Sequence, residues 1–344
     1  MARPDKRALT YAAAQTARVA FYGAHYLAAR VLARDNFSQI DKPQHKLPSL
    51  GATARAMRAL FAKDWANVEA GLYKMPVNVG REMRRALMSV KYFTDIPKVV
   101  ERQARRGHSE VSGEEASDLP HYYKQNFHFQ TDGYLSEDSA KLYEFQVEAL
   151  FAGTADAMRR QAYVPLAKFL TGRDPAKTKL LDVGAGTGTF LSFVKSEQPD
   201  LHVTALDLSQ PYLDRAARHL RKYTNVEFVA APGEAMPLGD DSVDAAVSIY
   251  LFHELPPKVR VVVAKEIARV LKPGGMFVLA DSIQYGNAPE FDGLLDVFPG
   301  LMHEPYYASY AKTDLKRIFA DAGLMPAAIE IAYLTKVMVF EKVK

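Results

Sequence analysis

LLDVGAGTGTF, at residues 180–190, decides the fold of this 344-residue chain. An apolar run ends in an acid, three alternate glycines follow, and a helix-like segment comes next. Glycine suits such a strand-to-helix turn because the backbone reverses sharply there and because a Cβ would keep a ligand from the exposed amides. The turn therefore predicts a site for a small, nucleotide-like ligand.

The spacing of the glycines also indicates the charge of that ligand. Dinucleotide sites read G-x-G-x-x-G, whereas this turn reads D-x-G-x-G-x-G, with Asp182 ahead of Gly184. A carboxylate at that point repels a pyrophosphate and suits a cationic ligand. An oxidoreductase that uses a nicotinamide cofactor stays open as an alternative, but the spacing disfavours it.

From residue 179 onward, strand-like and helix-like runs alternate. We expect strands at 179–183, 202–206, 226–230, 243–249 and 274–281, with helices at 188–197, 210–222 and 256–271. A further helix at 313–322 and two strands at 325–334 and 335–342 would add a hairpin at the sheet edge. The pattern predicts an α/β, doubly wound (Rossmann-like) fold with a mainly parallel seven-stranded sheet and the ligand at the carboxyl ends of its strands.

Five ordered motifs in this part resemble those of the class I S-adenosylmethionine-dependent methyltransferases. They are the glycine turn, Asp207 after the second strand, PGEAMPL at 232–238, DDSVDAAVS at 240–248 and LKPGG at 271–275. The core is similar to the ubiquinone/menaquinone and "methyltransferase 11" branch, whereas the first 150 residues lie outside the resemblance. The resemblance implies S-adenosyl-L-methionine as cofactor, S-adenosyl-L-homocysteine as product and in-line SN2 transfer of the methyl group.

The resemblance also implies which residues bind the cofactor. Asp207 would grip the ribose diol, and Leu208 would pack on adenine. The family's acid for the adenine amino group aligns with Pro232, so Glu234 or the backbone would have to recognise adenine. This departure leaves open a catalytically inactive regulatory or assembly protein that binds the cofactor. The predicted cofactor-binding set is Asp182, Gly184, Ala185, Gly186, Gly188, Asp207, Leu208, Gly233, Glu234 and Ser248.

Composition excludes several classes of protein. The chain has 48% hydrophobic residues, 24% charged residues and no cysteine, which removes disulfides, thiolate catalysis and zinc–thiolate sites, as well as cytosine C5 methylation. No window reaches the 18 or so apolar residues of a membrane span, and the N-terminus has no secretory pattern, so we expect a cytoplasmic protein, with membrane association left open. No histidine–carboxylate cluster at metal-ligand spacing is visible, so no metal site is predicted.

Charge is distributed unevenly along the chain. Residues 1–107 carry 20 Lys and Arg against 8 Asp and Glu, whereas the remainder carries 24 against 32. The basic half could dock on the acidic half or on a second subunit, or contact an anionic membrane surface. Nucleic acid is not predicted as a partner, because the basic residues are not interleaved with aromatics or glycine loops. A homodimer and peripheral membrane contact through the basic helices stay open.

Three regions are expected along the chain: a helical N-terminal domain at 1–115, a helical lid or connector over the cofactor site at 116–172, and the methyltransferase domain at 173–344. Within the first region, the apolar periodicity predicts helices at about 8–34, 52–72 and 81–90 and a basic helix that ends near residue 106. A segment rich in Ser, Glu and Gly at 107–120 has the composition of a linker.

The acceptor side of the site is expected in three segments. HYYKQNFHFQTDGYLS, at 121–136, has the aromatic and hydrogen-bonding composition of an active-site wall. His253, after the fourth strand, is the first candidate for a catalytic base, and His303, in an aromatic insertion after the fifth strand, is the second. A structural role as a buried histidine is the alternative for both. The predicted substrate-binding residues are Tyr122, His128, Tyr134, Tyr250, Tyr306 and Tyr307.

The class of acceptor follows from exclusion. DNA amino-methylating enzymes place an Asn/Asp-Pro-Pro-aromatic motif directly after the fourth strand, where this chain has SIYL at 248–251. We therefore expect a small-molecule acceptor that is apolar or aromatic, such as a quinone, a lipid or a secondary metabolite.

Overall fold

The computed structural model describes residues 5–32, 42–105, 107 and 119–343. The expected linker at 107–120 falls almost entirely outside the described residues, and so does the expected boundary between residues 115 and 116. The three-region division of the chain therefore stays a prediction.

A seven-stranded sheet lies at the centre, in the order β3-β2-β1-β4-β5-β7-β6. The strands are β1 (Lys179–Val183), β2 (His202–Asp207), β3 (Val226–Ala230), β4 (Val243–Ile249), β5 (Leu271–Ser282), β6 (Leu324–Ala332) and β7 (Thr335–Lys342). Strands β1 to β5 pair in parallel, and β7 pairs antiparallel with both β5 and β6. The expected doubly wound, mainly parallel sheet with an edge hairpin is confirmed.

Burial explains why these runs form strands. The side chains of β1 after its first residue are buried, and those of Ala245, Ala246 and Val247 in β4 are completely buried. Near-continuous apolar runs are typical of parallel strands that are covered by helices on both faces. The strand order reverses at β1, between β2 and β4, and ligands of such sheets bind in the crevice at this point.

Helices cover the sheet and form most of the described part of the N-terminal region. They are α1 (Lys6–Leu32), α2 (Leu50–Glu69), α3 (Val79–Ala86), α4 (Ser89–Arg105), α5 (Glu137–Leu150), α6 (Ala155–Leu170), α7 (Thr189–Glu197), α8 (Gln210–Leu220), α9 (Pro257–Val270), α10 (Asp292–Met302), α11 (Tyr307–Tyr310) and α12 (Leu315–Asp321). Ser136 caps α5 by accepting a hydrogen bond from the Ser139 N–H. In the described residues, no helix combines the length and the hydropathy needed to cross a bilayer.

Helix α6 packs directly on the sheet. Its side chains Tyr163, Leu166 and Leu170 share one hydrophobic core with Leu180 of β1 and Val278 of β5. The sequence-based division assigns this helix to the connector over the cofactor site, yet it contributes to the same core as the strands. The connector and the sheet are therefore packed as one unit around this helix.

The basic N-terminal helices dock on acidic residues of the following region through buried ion pairs. Asp156, at the start of α6, accepts from Arg85 of α3 at 2.7 Å and from Arg18 of α1 at 3.1 Å. Arg18 also lies 2.6 Å from Glu148. Because Asp156 and Glu148 are buried, these contacts account for part of the basic excess by intramolecular docking, one of the alternatives left open above.

A second buried network centres on Asp64 of α2. Its carboxylate accepts two hydrogen bonds from the Arg160 guanidinium, at 2.9 and 2.6 Å, and one each from the hydroxyls of Tyr11 and Tyr73, at 2.5 and 2.7 Å. Asp64 is completely buried. The network therefore joins α1 and α2 to α6, and through α6 to the sheet.

Candidate active site

The glycine turn between β1 and α7 has the backbone geometry that its sequence requires. Gly184, Gly186 and Gly188 have φ angles of 75°, 54° and 70°, a region that side chains with a Cβ rarely adopt. A Cβ on Gly184 would lie 3.0 Å from a methyl of Leu251, and one on Gly188 would lie 2.8 Å from the Cβ of Ala216. A Cβ on Gly186 would meet no atom within 4 Å. Gly184 and Gly188 thus serve packing, whereas Gly186 leaves space open for a ligand.

An open crevice of about 800 Å³ lies over this turn. Of the predicted cofactor-binding residues, six line it: Gly184, Gly186, Asp207, Leu208, Gly233 and Glu234. Asp182, Ala185, Gly188 and Ser248 do not. The hydroxyl of Ser248 is completely buried and donates to the Val183 carbonyl at 2.9 Å, so this side chain ties β4 to β1 behind the crevice.

Asp207 is held in place by the backbone of the turn. Its Oδ2 accepts from the Gly186 N–H at 2.8 Å, and its Oδ1 accepts from the Ser209 N–H at 2.8 Å. Burial raises the pKa of this carboxyl, and the backbone donors act in the opposite direction. Each carboxylate oxygen keeps a second lone pair, so Asp207 can accept further hydrogen bonds from a ligand in the crevice.

Asp182 has a buried carboxyl group that the described residues satisfy only in part. Its carboxyl is 1% exposed, and its Oδ1 has no hydrogen-bond partner among the described residues. Burial, with a smaller contribution from Asp207, raises the pKa of Asp182 to about 8. A cationic ligand nearby would stabilise the ionised form. The orphaned oxygen therefore fits the positively charged ligand that the glycine spacing predicts.

The aromatic segment at 121–136 forms one wall of this crevice. Tyr122 donates its hydroxyl hydrogen bond to the Glu234 carboxylate, at 2.8 and 2.9 Å from its two oxygens. Tyr134 donates to Oε1 of Glu254 at 2.6 Å. Tyr122 and Tyr134, which the sequence assigns to the acceptor, thus line the cofactor crevice together with Tyr123. Aromatic composition located the wall, but it gave no information on which ligand each ring faces.

A second, apolar cavity of about 1190 Å³ adjoins the crevice. Tyr143, Tyr250 and Glu254 line both spaces, which therefore meet at these three side chains. His128, His253 and Tyr307 line the second cavity but not the crevice. Most of its apolar side chains come from α5 and α10, namely Val147, Leu150, Leu294, Leu295, Val297, Phe298, Leu301 and Met302.

His253 is oriented by a buried carboxylate. Its Nδ1 donates to Oδ1 of Asp281 at 2.6 Å, while Oδ2 of Asp281 accepts from the Phe252 N–H at 2.8 Å. Burial alone would lower the pKa of His253, but the Asp281 carboxylate outweighs burial and raises that pKa to about 9. The hydrogen bond orients the ring, so that Nε2 points toward Glu254, 3.9 Å from its Oε1.

His303 and Tyr306 lie outside both cavities. The Nε2 of His303 is 3.0 Å from Oε1 of Gln125, and its ring packs against Phe129. Tyr306 is not among the residues that line either cavity, and its carbonyl accepts from Arg260 at 2.7 Å. The insertion after β5 supplies Tyr307 to the second cavity. Glu304, which follows His303 directly, contacts His128.

Four ionisable side chains meet at the polar end of the apolar cavity. One ligand atom from each of His128, His253, Glu254 and Glu304 lies within 4.8 Å of all the others. No histidine–carboxylate cluster at metal-ligand spacing is visible in the sequence, yet the fold brings these four side chains together. Spacing along the sequence could not reveal the cluster, because its members come from three segments that only the fold brings together.

The comparisons with known proteins agree with the core of this architecture. Residues 180–275 match the sequence model of a methyltransferase domain. Malonyl-[acyl-carrier protein] O-methyltransferase of Dechloromonas aromatica is 33% identical over 53% of this chain and 64% of its own length. Demethylmenaquinone methyltransferase of Clavibacter sepedonicus is 36% identical over 31% of this chain and 42% of its own length. The chain spans about half the length of the curated relatives it matches.

Part of the chain is also similar to solved structures. The 1,6-didemethyltoxoflavin-N1-methyltransferase of Burkholderia thailandensis, with S-adenosylhomocysteine bound, covers 60% of this chain and 88% of its own, at a TM-score of 0.43 and 22% identity. The resemblance drawn from the five motifs is confirmed by the matched segment and the named relatives. Residues 180–275 thus form a methyltransferase domain of the class I, S-adenosylmethionine-dependent type.

Proposed function

We propose that this protein transfers the methyl group of S-adenosyl-L-methionine to a small apolar molecule held in the cavity beside the cofactor crevice. The observation that supports this most is the shared boundary of the two spaces at Tyr143, Tyr250 and Glu254. When bound, the cofactor supplies an activated methyl group on a sulfonium. The chain then has to place an acceptor in line with the C–S bond and keep water away.

Different residues of the crevice bind different parts of the cofactor. Asp207, positioned by the Gly186 and Ser209 amides, accepts from the ribose diol. Gly186 leaves its space to the ligand, and Leu208 offers an apolar contact for adenine. Asp182 supplies negative charge close to Asp207, which a cationic ligand neutralises and a pyrophosphate does not.

The lining of the second cavity supports an apolar acceptor. A third cavity of about 880 Å³ shares His128, Tyr143 and Met302, among others, with the second and continues between α1 and α4. Such a length of apolar wall suits a ring that carries a hydrocarbon tail better than a small polar metabolite. Demethylmenaquinone, the substrate in the name of one relative, has this character, and we propose an acceptor of that class.

The helices around the third cavity also support contact with a membrane surface. Leu27 and Val31 of α1, Leu87 just after α3 and Val90 at the start of α4 are between 61% and 73% exposed. Tyr26 and Ile96, on the same helices, line the cavity. An apolar acceptor could therefore pass from a lipid phase into the cavity without crossing water, which is the use we propose for the basic N-terminal helices.

The test uses methyl-labelled S-adenosylmethionine and two fractions of a cell extract, one soluble in organic solvent and one aqueous. We expect label to enter a compound of the organic fraction while S-adenosylhomocysteine accumulates. The control is Asp207→Ala, which removes the carboxylate proposed for the ribose and should abolish turnover. Binding of the cofactor without turnover in any fraction would favour the inactive cofactor-binding protein instead.

A further inference from the structure

The cluster at the polar end of the apolar cavity has the composition and size of a metal site. The Nε2 of His128 contacts Oε1 of Glu304, and the Nε2 of His253 lies 3.9 Å from Oε1 of Glu254. All four ligand atoms lie within 4.8 Å of one another. Ligands that bind one ion at about 2.1 Å are at most about 4.2 Å apart, so small rotations of these side chains would complete the site.

The cluster contains a buried carboxylate oxygen that no described residue hydrogen-bonds. Glu304 is 1% exposed, and its Oε2 has no hydrogen-bond partner among the described residues. A carboxylate oxygen that is buried without a partner costs free energy, because it has lost its water and gained nothing in exchange. A cation at the centre of the cluster would supply the missing partner.

The surroundings orient the ligands as the outer shell of a metal site does. Asp281 accepts from Nδ1 of His253, so Nε2 is the nitrogen that faces Glu254 of the cluster, and a bound cation would displace its proton. Tyr134 donates to Oε1 of Glu254 at 2.6 Å. A carboxylate behind a histidine ligand and a hydrogen bond to a carboxylate ligand are recurring features of protein metal centres.

We propose that His128, His253, Glu254 and Glu304 bind a divalent first-row transition-metal ion at the junction of the two cavities. Two imidazoles with two carboxylates favour ions such as Mn²⁺, Fe²⁺ or Zn²⁺ over Mg²⁺ and Ca²⁺, which prefer oxygen ligands alone. The resemblance to methyltransferases and the spacing of the sequence predict no such ion.

The metal site also indicates which chemical group of the acceptor is methylated, an inference that rests on the proposed function. Four protein ligands leave one or two positions open on a five- or six-coordinate ion, and Glu254 borders the cofactor crevice. An acceptor with a ring hydroxyl fits there, because the ion stabilises the oxyanion after the hydroxyl proton has left to solvent. The oxyanion then attacks the methyl carbon; the C–O bond forms, the C–S bond breaks, and its electron pair stays on sulfur.

The first test measures metal binding directly. Chelator-treated full-length protein is titrated with Mn²⁺, and free Mn²⁺ is followed by its electron paramagnetic resonance signal; Zn²⁺ is titrated by calorimetry. We expect one ion per chain. Glu304→Gln, which keeps the shape of the side chain, should weaken binding at least 10-fold, whereas His303→Ala and the exposed Glu290→Gln should bind as the wild type does.

Two outcomes would overturn the proposal. One is a wild-type protein that binds neither ion, and the other is a Glu304→Gln variant that binds as tightly as the wild type. Circular dichroism and binding of S-adenosylhomocysteine to every variant show whether each has folded. Because Glu304 does not line the cofactor crevice, cofactor binding without metal binding would refute the metal site and leave the proposed function standing, whereas loss of both in the wild type would refute both.

Discussion

Two carboxylates at the ends of neighbouring strands give the crevice its chemical character. Asp207 is supported by two backbone amides, whereas Asp182 has an oxygen without a partner. The difference indicates different roles. Asp207 is preorganised to accept hydrogen bonds from neutral hydroxyl groups, and Asp182 is placed to stabilise a positively charged ligand. Both residues were predicted from the sequence, because their positions after apolar strand runs and beside the glycines are local features.

Replacing Asp182 by Asn tests two effects of its charge: destabilisation of the ligand-free protein and attraction of a cationic ligand. The pKa of Asp182 is raised from the ordinary range to about 8, so its ionisation opposes folding. Relative to Asp182→Asn, the ligand-free wild type should therefore lose stability as the pH rises from about 4 to 8, by up to about 1.4 kcal/mol per unit, with no further loss above 8.

The measurement is urea unfolding of both proteins at several pH values, with the S-adenosylhomocysteine and S-adenosylmethionine affinities measured beside it. The variant should bind the cationic S-adenosylmethionine more weakly. A stability difference between the two proteins that does not depend on pH would contradict this reading of Asp182.

Gly186 offers a test of the space left to the ligand. Because a Cβ there would meet no protein atom, Gly186→Ala should cost only the backbone strain of its positive φ, about 1 kcal/mol, yet it should abolish or strongly weaken cofactor binding. Gly172→Ala is the matched control, since Gly172 has a φ of 76° and equally open surroundings. Equal cofactor affinity in the two variants would show that Gly186 does not face the ligand.

At the scale of elements, the helices α1, α2 and α6 depend on buried charge. Arg160 is 5% exposed and its guanidinium is matched by Asp64. Breaking such a pair on one side leaves an uncompensated buried charge. Hydrophobic periodicity predicted that these segments are helices, but it could not pair Asp64 with Arg160, because the two residues are far apart in the sequence and carry no local signal.

Asp64→Asn should therefore lower the free energy of unfolding by about 3 to 5 kcal/mol. Glu69→Gln, on the same helix but exposed, should change it by less than about 0.5 kcal/mol. Chemical denaturation followed by far-ultraviolet circular dichroism measures both variants. Equal midpoints and slopes for the two would mean that the N-terminal helices dock independently of this network.

At the scale of the whole molecule, the helical region completes the site that the sheet begins. Segments from three places, α1 with α4, residues 121–150 and the insertion after β5, surround the apolar cavities. The strands of a mainly parallel sheet, the glycine turn and the aromatic wall could be predicted, because each follows from a local pattern. The sequence could not predict the cluster at Glu304, nor which aromatic rings face which of the two ligands. Both depend on packing between distant segments.

The exposed apolar side chains around α1 and α4 predict binding to vesicles. The protein should sediment with anionic vesicles at low salt, and binding should weaken as salt rises, because the basic helices add an electrostatic contribution. The double variant Val31→Ser and Val90→Ser should lose much of this binding, whereas Val262→Ser, on α9, should keep it. Absence of wild-type sedimentation would refute membrane contact, and concentration-dependent dimerisation lost in the double variant would assign the surface to a homodimer.

We propose above all that the crevice over the glycine turn binds S-adenosylmethionine. Calorimetric titration of the full-length protein with S-adenosylhomocysteine, S-adenosylmethionine and NADH tests it most directly, with Asp207→Ala as the control. We expect one saturable site for the first two ligands, lost in Asp207→Ala, and no heat from NADH. Heat from NADH alone, or equal binding by Asp207→Ala, would contradict it.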